Sequence, residues 1–183
     1  MMQLIDHFYP EDNDLKRTLI RHSEDVRRKA LEIASNCGFD LDLELVSNGA
    51  LLHDIGIFKC HAPDIYCNGS APYITHGIIG GKLLRQYASE NALDLEKYAL
   101  ICERHTGSGL SIEDICAQRL PLPEKDFLPE TLEEKLICLA DKYFSKSGSG
   151  EEKSLEQIRR SFSRFSPSAQ ERFEELCRTF KCF

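Results

Sequence analysis

The sequence has no excess of positive charge. It contains 23 Lys and Arg residues and 30 Asp and Glu residues, which gives a formal net charge of -7. A chain with this balance does not attract a nucleic-acid backbone or an anionic membrane surface as its main partner. It also has no apolar run of roughly 18 residues, the length that crosses a bilayer. We therefore expect neither a nucleic-acid nor a membrane partner, and an anionic substrate must be attracted by a local cation or a metal.

Two further absences bear on the compartment. The N-terminal stretch MMQLIDHFYPEDND has no basic region followed by an apolar one, so we expect no secretory signal. The eight cysteines form no CxxC pair, and most are expected to be reduced, small core residues. These features predict a cytoplasmic protein. The length and the ordinary hydrophobic content of 42% predict one domain over residues 1–183.

The longest amphipathic segment lies between residues 14 and 34. Its apolar residues recur at helical spacing, and the opposite face is rich in Lys, Arg, Asp and Glu. His22 fills the gap between Leu19 and Val26 on the apolar face. The spacing therefore predicts a helix from whose buried face His22 points inward.

The segment at about 43–55 is almost entirely apolar or small, which predicts a central, buried helix. It ends in the adjacent pair His53 and Asp54, and Gly56 is its expected stop. Buried charged groups are costly unless they are paired or bind a metal. The position of this pair therefore indicates a metal site, provided that the rest of the chain supplies further ligands.

Three more residues of ligand type lie at the ends or inner faces of predicted helices. His76 opens a helix at 76–88, His105 ends one at 95–105, and Asp141 lies on the flank of the buried stripe of a later helix. Each of them alone has an ordinary interpretation as a core, capping or surface residue. Together, histidines and carboxylates from several helices suit a transition metal such as Fe, Mn, Co, Ni or Zn.

Residues 58–75 contain Pro and Gly and predict a long, mostly irregular connection of the kind that forms lids or site walls. Cys60, His61 and Cys67 lie within it and allow a zinc site as an alternative. A structural zinc site needs four ligands at regular spacing. The sequence does not show that spacing, so this alternative is disfavoured.

The C-terminal part begins with residues 145–153, SKSGSGEEK, which predict a polar, mobile loop. Residues 153–183 then predict one or two amphipathic helices, interrupted at Pro167. Their apolar stripe is expected to pack on the core or on a second subunit. A homodimer is therefore left open.

The ordered residues resemble a known signature. His22, then His53 and Asp54, then Asp141 resemble the H…HD…D pattern of the HD-domain metal-dependent phosphohydrolases. LLHDIG resembles the HDIG form of the central motif, and LADKY resembles the usual context of the last aspartate. The resemblance covers about residues 15–146. It implies an all-α fold, an HD-domain helical bundle with a five-helix core and additional C-terminal helices.

His76 in THGIIGG and His105 in ERHTGSGL resemble the two extra histidines of binuclear members. The motifs are most similar to bacterial HD-type diadenosine tetraphosphate hydrolases. They are less similar to HD-GYP phosphodiesterases, because Ile57 stands where those proteins have lysine and the GYP tripeptide is absent. The resemblance implies one metal at the first four ligands and a second at the two extra histidines, with Asp54 bridging.

The resemblance also implies a reaction. Two divalent transition metal ions would activate a water that hydrolyses a phosphate ester or anhydride of a nucleotide or related small molecule, with His53 and Asp54 at the catalytic centre. Four basic residues lie close in sequence to the ligands and are candidate phosphate contacts, although each alone is more often a solvated surface charge: Lys59, Lys82, Arg104 and Lys142.

Two other functions use the same residues. Some binuclear HD proteins resemble di-iron oxygenases, which the ligand set by itself does not distinguish. A nucleotide-binding regulatory module without catalysis is the other alternative, but such modules usually lose metal ligands and this chain has the full set. The sequence leaves open the substrate, the metal and whether one or two ions bind.

Overall fold

The structure, a computed structural model, describes residues 1–148 and 150–182. This part of the chain is predominantly helical, as predicted, and its α-helices are α1 Met2–Phe8, α2 Asp14–Cys37, α3 Leu43–Leu52, α4 His76–Asn91, α5 Glu96–Arg104, α6 Ile112–Gln118, α7 Leu132–Asp141, α8 Leu155–Phe162 and α9 Pro167–Thr179. Helix α1 was not expected from the sequence. In the described part of the chain, no helix is both long and apolar enough to cross a membrane.

The short helix α3 lies at the centre of the core, as its apolar sequence predicts. Val46 and Leu52 are fully buried, and α3 contacts α2, α5 and α7. A Cβ on Gly49 would collide with the side chains of Ile101 and Ile137, so this glycine allows α5 and α7 to approach closely. Burying a side chain such as Leu52 contributes about 1.5–3 kcal/mol. The helix that precedes the His-Asp pair is therefore firmly anchored.

Local sequence signals set the ends of the helices that carry the site. The side chain of Asn13 accepts a hydrogen bond from the Lys16 amide at the start of α2, and Gly38 ends that helix with φ 79°. Thr131 caps α7 by accepting a hydrogen bond from the Glu134 amide at 3.2 Å. Helix N-caps of this kind contribute about 1 kcal/mol each. They fix where α2 and α7 begin.

Residues 58–75 differ from the predicted irregular connection. They include three strands, β1 (Cys60–Ala62), β2 (Cys67–Asn68) and β3 (Ala71–Pro72), in the order β2-β1-β3. β1 pairs antiparallel with β2 and parallel with β3. Strands of two or three residues are too short to leave an alternating pattern in the sequence, which is why the prediction was wrong here.

The two C-terminal helices, α8 and α9, pack on the core. Ile158, Phe162 and Phe173 belong to the same buried cluster as apolar residues of α2 and α7. The rings of Phe162 and Phe173 stack with their centroids 4.4 Å apart. The apolar stripe of the tail is thus covered within the chain, and a homodimer stays a prediction.

Candidate metal centre

Six side chains of ligand type meet where five helices pass, begin or end. His22 lies in α2, His53 and Asp54 directly follow α3, His76 is the first residue of α4, His105 directly follows α5, and Asp141 ends α7. None of the six has more than 9% of its surface exposed. The structure therefore brings together all the residues that the sequence singled out as metal ligands.

Gly56 allows the first turn of α4 to reach this centre. Because α3 ends at Leu52, Gly56 is not the helix stop that the sequence predicted. A Cβ on Gly56 would overlap the carbonyl oxygen of His76 and the amide nitrogen of Gly80. Both are backbone atoms, so rotation of a side chain cannot relieve the overlap. The glycine therefore sets how closely α4 approaches, and with it the position of the His76 ring.

The first cluster consists of His22, His53, Asp54 and Asp141, whose ligand atoms all lie within 4.8 Å of one another. Nε2 of His22 is 2.9 Å from Asp141 Oδ1 and 3.3 Å from Asp54 Oδ2. Nε2 of His53 is 3.0 Å from Asp54 Oδ2 and 3.5 Å from Asp141 Oδ1. Two imidazole nitrogens and two carboxylate oxygens thus converge, a donor set that suits a divalent transition metal.

The second cluster consists of Asp54, His76 and His105. Oδ1 of Asp54 is 3.3 Å from Nε2 of His76 and 3.5 Å from Nε2 of His105. The two Nε2 atoms are 3.1 Å apart. Asp54 therefore presents one oxygen to each cluster, which agrees with the bridging position implied by the resemblance.

Backbone carbonyls orient three of the four histidines. Nδ1 of His53 lies 2.7 Å from the carbonyl oxygen of Ala50, and Nδ1 of His76 lies 2.7 Å from that of Tyr73. His105 Nδ1 lies 2.8 Å from a carbonyl oxygen of α5 in the same way. Each Nδ1 must carry the proton to donate to a carbonyl, so in the neutral ring Nε2 is left with its lone pair. That tautomer binds metal through Nε2.

Burial and charge set the protonation of the centre. Burial lowers the pKa of His76 to about 3 and also lowers the pKa of His105. Burial opposes charge on His53 too, but Asp54 and Asp141 outweigh it and raise the pKa of His53 to about 9. The two carboxyls keep a pKa well below the ordinary value, because their basic neighbours outweigh burial. The second cluster is thus neutral at its histidines, whereas the first holds a proton that a bound cation displaces.

Several buried atoms of the centre have no hydrogen-bond partner within the described residues. They include Oδ1 of Asp54 and Nδ1 of His22. A buried polar atom without a partner costs about 1–3 kcal/mol. The Nε2 lone pairs of His76 and His105 also face each other, an arrangement that repels unless a cation lies between them. The residues therefore fit a divalent metal in each cluster.

Two lysines reach the centre. Lys142, a predicted phosphate contact, has its ammonium 2.6 Å from Asp141 Oδ2. Lys146 was not among the residues predicted from the sequence. Its ammonium lies 2.6 Å from Asp54 Oδ2, and its side chain is only 13% exposed. Lys146 belongs to a Ser- and Gly-rich loop without a periodic apolar pattern. The sequence indicates its role only through its position shortly after Asp141, the last ligand in the chain.

The other predicted phosphate contacts lie in different surroundings. Arg104 forms ion pairs with Glu130 and Glu134, each at 3.0 Å. The ammonium of Lys59 lies 4.9 Å from the ring centroid of the neighbouring phenylalanine, and Lys82 is exposed on α4. Among the described residues, no hydrogen bond or ion pair joins these three side chains to the centre. Substrate contact stays a prediction for Lys59 and Lys82, whereas the two ion pairs of Arg104 favour a structural role for that residue.

The alternative zinc site receives no support. Where the chain is described, the two clusters above are the groups of three or more ligand-type side chains that converge closely enough for an ion. Cys60, His61 and Cys67 are not among them. His61 instead pairs with Asn68 across β1 and β2 and is exposed.

Three curated proteins show similarity over about seven tenths of the chain. An uncharacterized protein of Methanocaldococcus jannaschii is 39% identical over 132 residues, 70% of this chain and 68% of that protein. Proteins named tRNA (cytidine(56)-2'-O)-methyltransferase from Picrophilus torridus and Thermoplasma volcanium are 39% and 33% identical over 127 residues. These matches cover 69% of this chain but only 31% and 32% of the two methyltransferases. The chain thus spans less than a third of their length. No solved structure matches.

The sequence model of the HD domain family matches residues 19–145. This stretch includes all six side chains of the two clusters and makes up more than half of the chain. HD domains bind divalent metals, and in general the domain supports a hydrolase-type enzyme. The ligand geometry of the centre agrees with both properties. The chain belongs to the HD domain family.

Proposed function

We propose that this protein is a metal-dependent phosphohydrolase that cleaves a phosphate ester or anhydride of a nucleotide or a related small molecule. The observation that supports it most directly is the position of Asp54 between the two clusters. Its Oδ2 lies 3.0 Å from Nε2 of His53, and its Oδ1 lies 3.3 Å from Nε2 of His76. One carboxylate is thus able to hold two ions close together, the arrangement used to stabilise both the attacking and the leaving oxygen of a phosphoryl group.

The protein's own residues prepare this site. His76 and His105 present Nε2 lone pairs because their Nδ1 atoms are bound to backbone carbonyls. His53 is oriented in the same way and presents its Nε2 lone pair once a bound cation displaces its proton. The rings need no reorientation when ions bind, and their burial keeps bulk water away. Divalent ions, when bound, lower the pKa of water and neutralise charge on the phosphoryl oxygens.

Two basic side chains complete the machinery in this proposal. Lys142 and Lys146 lie beside the carboxylates of Asp141 and Asp54, each at 2.6 Å. The bound ions and these ammonium groups together attract an anionic substrate to a chain whose net charge is -7. Because a lysine ammonium carries three donors on a flexible stem, it can turn from a carboxylate to a phosphate.

The names of the two methyltransferases do not change this proposal. Each name describes a protein of which this chain matches less than a third. The two clusters lie in this chain's HD domain. We infer that the activity of this domain is hydrolytic and separate from methyl transfer.

The test is turnover of defined phosphate compounds by the full chain. Protein loaded in turn with Mn²⁺, Fe²⁺, Co²⁺, Ni²⁺ or Zn²⁺ is incubated with AMP, a nitrophenyl phosphodiester or diadenosine tetraphosphate, and the products are separated by chromatography. Asp54→Asn should lower turnover on the order of a hundredfold or more, because loss of even an indirect ligand contact costs 10–100-fold. The matched control is Asp40→Asn, which changes an exposed carboxylate and should retain full turnover.

Each alternative gives a distinct result. Consumption of O₂ by the iron-loaded protein, with no phosphate product, would support the oxygenase. Nucleotide binding without turnover under any metal would support the regulatory module. Equal turnover by wild type and Asp54→Asn would contradict the proposal.

A further inference from the structure

A cavity of about 450 Å³ lies beside the metal centre, within the size range of small-molecule sites. Its lining includes Asp141 of the metal centre and three lysines, Lys142, Lys146 and Lys153. The same lining continues to Phe165, between α8 and α9. The family match ends at residue 145, so Lys146, Lys153 and Phe165 come from a part of the chain that the HD domain does not account for.

Two of the three lysines are largely withdrawn from water, and Lys153 is partly buried. The side chains of Lys142 and Lys146 are 12% and 13% exposed. The ammonium of Lys153 donates to the carbonyl oxygen of Phe144 at 3.4 Å. Burial lowers the pKa of Lys153, and the charges of Lys142 and Lys146 lower it further against the opposite effect of Asp141. Three lysines in the lining of one cavity favour an anionic occupant.

The carboxylates paired with two of these lysines are metal ligands in the proposed function. Asp141 and Asp54 pair with Lys142 and Lys146, but both aspartates also belong to the metal clusters. Divalent ions bound there supply positive charge to the same carboxylates. The lysines are then available for a phosphate. Asp64 is a further acidic residue of the lining, and it is exposed to solvent.

Phe165 supplies a flat apolar surface in the lining of this cavity. Half of its surface is exposed, although it is a large aromatic residue. Its ring packs against that of the buried Phe162, with the ring centroids 5.4 Å apart, and Phe162 also lines the cavity. An aromatic ring held in this way at the side of a basic groove is a platform on which a nucleobase stacks.

We propose that this cavity binds a nucleotide, with its phosphate held by Lys142, Lys146 and Lys153 and its base stacked on Phe165. The inference rests on the proposed function and deepens it, because it names the substrate class and the residues that select it. The C-terminal extension would then select the nucleotide substrate, and the HD core would supply the metal centre.

The absence of tryptophan from the chain allows a direct test. Phe165→Trp introduces a single tryptophan, which can be excited selectively over the six tyrosines, at the proposed base platform of the full-length protein as purified. On rapid mixing, AMP should quench its fluorescence in a saturable way, whereas ribose 5-phosphate, which has no base, should not. The matched control is Phe39→Trp at another exposed phenylalanine (41% exposed), which neither ligand should affect. No quenching of Phe165→Trp, or equal quenching by both ligands, would overturn the base platform.

Calorimetry on variants without an added tryptophan tests the base platform and the phosphate contacts separately. Phe165→Ala should weaken AMP binding about tenfold, the effect of losing one base stack, and leave ribose 5-phosphate binding unchanged. Lys153→Gln should weaken both ligands about tenfold through loss of a charge-assisted phosphate contact. Lys97→Gln removes an exposed lysine elsewhere and should change neither. Unchanged binding in both Phe165→Ala and Lys153→Gln would contradict the inference.

These readouts separate the inference from the proposed function. Binding with the expected pattern but no hydrolysis of any compound would remove the phosphohydrolase and keep the nucleotide site. Hydrolysis that is insensitive to Phe165→Ala and Lys153→Gln would keep the phosphohydrolase and remove the site.

Discussion

The Nε2 atoms of His76 and His105 lie 3.1 Å apart, although neither ring has a proton to place between them. Each Nδ1 is bound to a backbone carbonyl, and burial lowers the pKa of both rings. Two lone pairs therefore face each other across a short distance. A cation held between them and Asp54 removes the repulsion.

The first prediction follows from this pair. The double variant His76→Ala, His105→Ala should reduce the metal content from two ions per chain to one, because the first cluster keeps all its ligands. Elemental analysis of protein purified without chelator measures the content. His61→Ala, which removes an exposed histidine, should keep both ions. One ion in wild type and double variant alike would make His76 and His105 substrate contacts of a mononuclear enzyme.

The second prediction concerns the close contact between Gly56 and α4. Gly56→Ala places a methyl group against the backbone of His76 and Gly80, so α4 must shift. We expect a loss of about 1–3 kcal/mol in the free energy of unfolding, as for other overpacked sites, together with loss of the second ion. Denaturant unfolding and elemental analysis provide the two measurements.

The control for Gly56 is Gly49→Ala, which also overpacks the core but against the side chains of Ile101 and Ile137, away from the ligands. It should lower stability and keep both ions. If Gly56→Ala kept both ions too, the approach of α4 would not be what positions His76.

Arg104 is expected to act on stability. Its guanidinium binds the buried carboxylate of Glu134 at 3.0 and 3.2 Å, and Arg104→Ala leaves that carboxylate with one fewer charged partner. The free energy of unfolding should fall by about 1–3 kcal/mol, with metal content and KM unchanged. Arg178→Ala breaks an exposed pair with Glu175 and should leave the free energy of unfolding almost unchanged, because solvent screens such a pair. A raised KM at unchanged stability would restore Arg104 as a phosphate contact.

Asp114 ties the C-terminal extension to the core and gives a pH-dependent prediction. Its carboxylate accepts hydrogen bonds from Ser166 at 2.6 Å and from Ser111 at 3.1 Å, and it pairs with Arg172. Although burial raises it, these partners bring the pKa of Asp114 below its ordinary value of 3.8. The stabilisation is therefore complete above that value and is lost as the pH falls through the lower pKa of the folded state.

Asp114→Asn should accordingly lower the free energy of unfolding by about 1–3 kcal/mol at pH 7. The difference from wild type should shrink as the pH falls from 4 towards 3. Urea unfolding at a series of pH values measures it, with Asp40→Asn as the exposed control. A difference that stays constant down to pH 3 would show that the carboxylate charge contributes nothing.

The helices and the ligands could be read from the sequence because their signals are local. Asn13 and Thr131 cap α2 and α7 by hydrogen bonds that span three residues. The inward position of His22 follows from helical spacing alone. The small sheet at 58–75 was not predicted, because its strands are too short to show a period.

By itself the sequence determined that helices carry four histidines and two aspartates at their ends or buried faces, in the order typical of an HD domain. Tertiary structure alone decided what surrounds them. The tertiary structure places Gly56 against the backbone of α4 and Lys146 beside Asp54 in the centre. It also places Phe165, between the two C-terminal helices, in the wall of the neighbouring cavity. The reason is physical: these contacts join residues far apart in the chain, and neither periodicity nor capping encodes which distant surfaces will pack together.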